Sequence, residues 1–210
     1  MTDYEREWQR QLARTDIPRG HLPVYRWYLQ LDDPASVAPP VAPRSGITIT
    51  HAKKPTIAFY RFLYHTAGED YLWGDRRRRS DEDLMQLISP DHILIMVMYC
   101  DGVPAGFYEL DTISNDESEI RYFALLPGFL GGGLGRYLLD SAIVHAGKRN
   151  VPLVLDTCTL DHPIALENYK ARGFRIVGGE DETYPDPRAD GTVPRDAGKH
   201  VPLCVADLSD

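Results

Sequence analysis

The chain has 210 residues, of which 43% are hydrophobic and 26% charged, enough for one sizeable globular domain with decorations. Its formal net charge of −8 excludes a general nucleic-acid binder, whose affinity comes from neutralised phosphates, and suits a cationic amine partner better. No apolar run nears the ~20 residues of a membrane span, and the charged start MTDYEREWQRQ lacks the apolar core of a signal peptide, so a cytoplasmic protein without membrane or nucleic-acid partners is expected.

In chain order, residues 3–14 read as a short polar helix, and residues 22–31 carry several aromatics without clear periodicity. Residues 32–46 (DDPASVAPPVAPRSG) are rich in Pro and Ala and read as a linker or extended arm. The reading therefore divides the chain into an N-terminal helical and Pro-rich extension, 1–46, and a core domain, 47–210. Ile47–Thr50 is a candidate first strand. Ile57, Phe59, Tyr60, Leu63 and Tyr64 fit a helix starting just after Pro55. Ser80 is a helix N-cap with acids in the first turn, and Pro90 ends that helix. Ile93–Tyr99 reads as a buried strand, Asp101-Gly102 as a hairpin turn, and Pro104–Leu110 as its antiparallel partner. Glu119–Leu126 is a third strand, followed by a glycine-rich loop and a helix packing through Tyr137, Leu138, Ser141, Ala142 and His145. Val151–Asp156 is a strand, Pro163–Arg172 a helix closed by Gly173, and Phe174–Val177 a returning strand. Residues 178–210 read as mostly irregular, with 200–205 (HVPLCV) a candidate edge strand. The order of elements predicts a mixed α/β sheet.

The loop PGFLGGGLGR, residues 127–136, is the most informative segment. A strand, a run of glycines and a helix N-terminus form a phosphate site, because the first-turn amides are unpaired and the helix dipole adds about half a positive charge there. Glycines remove the Cβ atoms that would hold a diphosphate away. A nucleotide P-loop is excluded, since Arg136 follows Gly135 where Lys-Ser/Thr is required. The dinucleotide fingerprint also fails in both frames. A methyltransferase is not excluded by the glycines and Asp156 alone, although residues 127–130 separate strand from helix and the preceding strands read as antiparallel.

At these residues the chain resembles the GNAT acetyltransferases. Their Arg/Gln-x-x-Gly-x-Gly/Ala signature aligns with Leu130-Gly131-Gly132-Gly133-Leu134-Gly135: both glycines match, and Leu130 replaces the usual Arg or Gln. A second family motif, Asn-x-x-Ala-x-x-x-Tyr-x-x-x-Gly-Phe, aligns with residues 162–174, where Ala165, Tyr169, Gly173 and Phe174 match and His162 replaces Asn. The resemblance is close over 93–177 and looser back to about 47. It implies a single domain of the α/β (α+β) class, with a mixed, mostly antiparallel central sheet of about six or seven strands, flanking helices, and a strand pair splayed to admit acetyl-CoA. It implies that backbone groups of Phe123, Ala124 and Leu125 bind the pantetheine arm, and that amides at Leu130, Gly131, Gly132, Gly133, Leu134, Gly135 and Arg136 hold the diphosphate. Asn168 is implied as a further cofactor contact.

The implied reaction is direct attack of a primary amine, on a small molecule, peptide or protein, on the thioester. The amine must lose a proton and the thiolate gains from a proton donor. Tyr169, one helical turn after Ala165, matches the family's donor. Candidates for the base are Glu119, Glu109, whose strand neighbours that of Glu119, and His162; a water relay is the remaining option. A non-catalytic acyl-CoA-binding module is the alternative function. The run Arg76–Arg79 reads as a solvated turn, or as a site for an acidic substrate or the 3′-phosphate of CoA, with Tyr71 and Trp73 a candidate lid. Three cysteines, Cys100, Cys158 and Cys204, with no CxxC pair argue for a reducing compartment. The histidines lack ligand spacing, so no metal is expected. A homodimer is left open.

Overall fold

The computed structural model describes residues 1–203. Helix α1 (Asp3–Leu12) starts at a capping box between Thr2 and Glu5. Strand β1 (His21–Leu31) follows, then a 3-10 turn (Pro34–Ser36), β2 (Ile47–His51), α2 (Ile57–Gly68) and α3 (Asp81–Ile88). The remaining elements are β3 (Ile93–Cys100), β4 (Val103–Asp111), β5 (Ser118–Leu125), α4 (Leu134–Gly147), β6 (Leu153–Cys158), α5 (Ala165–Lys170) and β7 (Arg175–Pro185). Thr56 and Ser80 cap α2 and α3 through their hydroxyls. Asp101 and Gly102, both at positive φ, make the tight turn between β3 and β4.

The seven strands of the described residues form one sheet in the order β2-β3-β4-β5-β6-β1-β7. Every neighbouring pair is antiparallel except β5 and β6. This is the mixed, mostly antiparallel sheet expected. One face packs on α4 and α5 through Tyr108, Leu138, Ile143, Leu155 and Leu166, and the other on α2 and α3 through Tyr60, Leu63, Leu84 and Phe107. These side chains are removed from water, and burial of apolar area is what binds the helices to the sheet.

The N-terminal part departs from the sequence reading. Residues 21–31, assigned there to an extension outside the core domain, form β1 inside the sheet, antiparallel to β6 on one side and to β7 on the other. Trp27, Leu29 and Leu31 belong to the main core. The Pro-rich arm lies on α4, where the Pro34 carbonyl approaches Gly147 so closely that a Cβ there would stand 2.7 Å from it. β7 is also longer than expected and reaches Pro185, while the candidate edge strand is absent over residues 200–203; its last two residues, 204 and 205, lie outside the described residues. No helix of the described residues is long and apolar enough to cross a membrane.

Candidate active site

β5 and β6 pair only through Ser118–Ile120 and Leu153–Leu155. Beyond that the two strands part. Arg121–Leu125 on one side and Asp156 and Cys158 on the other border a cavity of about 700 Å³. Part of the cause is a β-bulge: opposite β4, Tyr122 pairs with Glu109 and Ile120 with Leu110, which leaves Arg121 unmatched. A bulge bends a strand and increases its twist. It also resets the alternation of side chains, so that Ile120, Phe123 and Leu125 share the face of α4, and Tyr122 and Ala124 face α2. The edge of β5 turned toward the gap therefore offers its backbone groups to a ligand.

The glycine loop closes one end of the cavity. Gly128, Gly131, Gly132 and Gly133 have φ of 87°, 90°, 59° and 80°, a region that costs a residue with a Cβ about 1–2 kcal/mol. Gly133 is the N-cap of α4, and no side chain caps this helix. The amides of Gly132, Gly133, Gly135 and Arg136 donate to no other described residue. Among the loop residues Leu130, Gly131, Gly133, Gly135 and Arg136 line the cavity. Unpaired amides at a helix N-terminus suit an anion, so these residues fit the diphosphate of acetyl-CoA. Leu134 is a correction to the expected set: its amide is taken by the Gly131 carbonyl at 3.3 Å, and its side chain is buried in the core. Leu130 is 59% exposed and brings no polar group.

Tyr169 lines the same cavity together with Asn168, Phe123, Ala124, Leu125, Glu119 and His162. α5 presents Tyr169, and the turn after it is closed by the Phe174 amide donating to the Tyr169 carbonyl at 3.2 Å, with Gly173 at φ 89°. The phenol packs edge-on to Phe123 at 6.3 Å and Phe174 at 6.0 Å. Burial, then Asp161 and Asp156, push its pKa far above the usual tyrosine value, so the hydroxyl keeps its proton at neutral pH. Glu119 stands where β5 and β6 begin to part, its side chain 38% exposed and 3.5 Å from Arg121. Burial raises its pKa first, Asp156, Asp111 and Glu117 add to that, and Arg121 opposes them. His162 is exposed; its Nδ1 accepts the Ile164 amide at 3.2 Å, and burial followed by His200 lowers its pKa.

Glu109 does not reach the cavity. It is fully buried and receives both arms of Arg76, at 2.5 and 2.7 Å, and the Tyr60 hydroxyl at 2.9 Å. A carboxylate held by a bidentate guanidinium is a structural anchor, which corrects its candidacy as base. The arginine run is corrected with it. Arg76 is buried beneath the cavity, over the ring of Tyr122 at 4.5 Å. Arg77 donates to the carbonyls of Trp73 and His65, and Arg78 to Asp190 at 2.9 Å. Arg76 ties the segment between α2 and α3 to β4, Arg77 ties it to α2 and Arg78 to the chain after β7, around Trp73 and Asp75 on the cavity wall.

Sequence reasoning missed Arg26, Asp75 and Tyr184 as cavity residues. Arg26 and Tyr184 come from β1 and β7, and no local motif marks them. Asp161 belongs to the wall too, its Oδ2 accepting from the Thr157 hydroxyl at 2.7 Å and the Cys158 amide at 2.9 Å. Burial and Asp161 raise the Cys158 thiol well above its usual pKa, which opposes a nucleophilic thiolate there. Among the described residues no cluster of three or more His, Cys, Asp or Glu is placed to hold a metal ion.

A model of the acetyltransferase (GNAT) family matches residues 50–174. An uncharacterized N-acetyltransferase of Methanocaldococcus jannaschii is 30% identical over 135 residues, which are 60% of this chain and 60% of that protein. One of Archaeoglobus fulgidus is 28% identical over 130 residues, 59% of this chain and 82% of the relative. Of solved structures, a GCN5-related N-acetyltransferase from Kribbella flavida superimposes with a TM-score of 0.53 at 18% identity, covering 80% of this chain and 60% of its own. A functionally unknown conserved protein from Staphylococcus epidermidis gives 0.59 at 16% identity, over 89% of this chain and 68% of its own. At such identities these two likenesses speak for the fold, and it is the family model, spanning more than half of the residues, that carries the conclusion: the chain belongs to the acetyltransferase (GNAT) family.

Proposed function

We propose that this protein is an acetyl-CoA-dependent N-acetyltransferase acting on a primary amine by direct attack. The observation that carries the reading is the convergence on one cavity of unpaired amides at the start of α4, the open edge of β5, and the protonated hydroxyl of Tyr169. The amides of Gly133, Gly135 and Arg136 hold the diphosphate, and β5 backbone groups of Phe123, Ala124 and Leu125 align the pantetheine arm. When bound, acetyl-CoA supplies an acetyl group as an activated thioester.

The remaining work belongs to side chains. Glu119, directly or through one water, takes a proton from the amine so that its nitrogen lone pair is free to bond the acetyl carbon. As the carbon–sulfur bond breaks with its electron pair going to sulfur, Tyr169 gives its proton to that sulfur and is reprotonated by the second proton that the nitrogen sheds on becoming an amide, while the proton taken by Glu119 passes to solvent. Amide and free thiol are the products. A cytoplasmic location and a homodimer are compatible with this reading.

The test has two parts. Acetyl-CoA raises the melting temperature by mass action, and Tyr169→Phe lowers kcat about a hundredfold, the scale of a lost general acid, while calorimetry finds acetyl-CoA affinity changed by less than about threefold, well under 1.4 kcal/mol. An unchanged kcat removes Tyr169 from the mechanism. A cavity that takes no acetyl-CoA defeats the whole reading.

A further inference from the structure

The cavity is electrically lopsided. At the glycine end, Arg136 and Arg172 share the single carboxylate of Asp140, at 3.6 and 2.7 Å, which leaves an excess of positive charge where an anionic diphosphate belongs. At the other end every guanidinium of the described residues is already committed, Arg78 to Asp190 at 2.9 Å. Arg26 is held by Glu182 at 2.8 Å and by Asp156. Arg76 is held by Glu109 at 2.5 Å. Arg121 is shared by Asp111 at 2.6 Å and Glu119 at 3.5 Å.

Among the described residues, two carboxylates on this wall have no cation within ion-pair distance. Asp75 has only the Tyr184 hydroxyl, at 3.4 Å. Asp161 has only the Thr157 hydroxyl and the Cys158 amide. On the wall itself Asp75, Glu119, Asp156 and Asp161 face Arg26, Arg76 and Arg121, and Glu109, Asp111 and Glu182 stand behind it; with Arg78 and Asp190 cancelling each other, the acceptor end carries a formal excess of four negative charges. Aromatic faces complete the wall: Tyr71, Trp73 and Tyr184 line it beside Asp75 and Asp161. Carboxylates and aromatic faces together attract ammonium groups and repel anions.

The wall is also rigid. The Gly74 amide donates to the Tyr184 hydroxyl at 3.1 Å and the Arg76 amide to Tyr64 at 3.4 Å, so Asp75 is held from both sides. Asp161 lies on the Tyr169 side, close enough to help raise that phenol's pKa. Asp75 projects from the separate segment between α2 and α3.

Resting on the acetyltransferase reading above, we propose that the acceptor is a small aliphatic amine carrying a second ammonium group: one nitrogen reacts beside Tyr169 while the other is held by Asp75. An acceptor with a carboxylate in place of the second ammonium meets no free guanidinium and is rejected.

Three acceptors of matched length test the class: cadaverine, n-pentylamine and delta-aminovalerate, whose far ends are positive, neutral and negative. Coenzyme A release gives kcat/KM for each with the full-length protein. Cadaverine exceeds n-pentylamine by at least about tenfold, the equivalent of 1.4 kcal/mol, and aminovalerate is the poorest of the three. Asp75→Asn shrinks the cadaverine-to-pentylamine ratio about fivefold or more, and added salt narrows it in the unaltered protein, because screening acts on a charge preference and not on chain length. Equal rates for cadaverine and n-pentylamine, or a preference for aminovalerate, overturn the inference and leave the acetyltransferase reading standing. Binding of acetyl-CoA with no turnover of any of the three overturns the acceptor class. No binding of acetyl-CoA overturns both.

Discussion

The carboxyl of Glu119 is pulled in two directions. Partial burial and three neighbouring carboxylates favour its protonated form, and Arg121 favours the charged form; burial dominates, so the pKa rises. A base must be ionised to accept a proton, and activity therefore climbs as pH rises through this elevated pKa. Glu119→Gln removes that limb. At pH 7 kcat/KM falls about a hundredfold, and the deficit narrows at high pH, where the amine loses its proton unaided. A pH–rate profile of both forms checks this; a deficit that stays constant with pH demotes Glu119 to a positioning role. The place of Tyr169 on the cavity wall is legible in the sequence because its partners Ala165, Gly173 and Phe174 are close along the chain. Glu109 was not, because what decides its role is Arg76, 33 residues away. The bulge at Arg121 was equally invisible, since a strand written as alternating residues carries no mark of one that is skipped.

Among elements, the segment between α2 and α3 owes its position to the buried pair of Arg76 and Glu109. Removing one member of such a pair leaves an uncompensated buried charge and costs about 3–5 kcal/mol, whereas replacing both with apolar residues of similar volume is often tolerated. Arg76→Met therefore lowers stability in urea by that amount, and the double change Arg76→Met with Glu109→Leu recovers most of it. Equal losses in the single and double variants would place the stabilisation in packing and not in charge. The glycine loop makes a second case. At Gly133, with φ of 80°, Ala adds about 1–2 kcal/mol of backbone strain, and isothermal titration finds acetyl-CoA bound more weakly while Tyr169 and Glu119 are untouched; unchanged affinity removes this turn from the cofactor site. The elements from β2 to α5 were legible because caps, turn residues and apolar periodicity agree. β1 was not, and of β7 only the start, up to Val177, was. In β1 the burial alternation breaks at Tyr25 and Arg26, and its register with β7 shifts at Tyr28. β7 is an edge strand, largely exposed, with Gly178, Gly179 and acidic residues in its middle, a composition that reads as loop and that suits an unpaired edge.

For the molecule as a whole, the decisive element is the strand that comes first. β1 pairs with β6 from Arg26 to Leu31 and with β7 from His21 to Gln30, more than 120 residues later in the chain. No local signal can announce such a pairing, which is why residues 1–46 read as an appendage. Without β1, both β6 and β7 lose a hydrogen-bonded neighbour, and the core loses Trp27, Leu29 and Leu31. β6 carries Asp156 and Cys158 of the cavity wall, so the site depends on β1 as much as the sheet does. A chain beginning at Ile47 is therefore expected to lack a cooperative melting transition and to bind no acetyl-CoA, because two unpaired strand edges and an open core exceed the roughly 5–15 kcal/mol by which domains are stable. A chain lacking only residues 1–14 loses the packing of Tyr4 and Gln11 but keeps every strand, and retains a cooperative transition at lower temperature. Circular dichroism melts of the two truncated chains, with and without acetyl-CoA, separate the cases. A sharp transition in the shorter chain, shifted upward by acetyl-CoA, would mean that the sheet closes without its first strand and that residues 1–46 are an appendage after all.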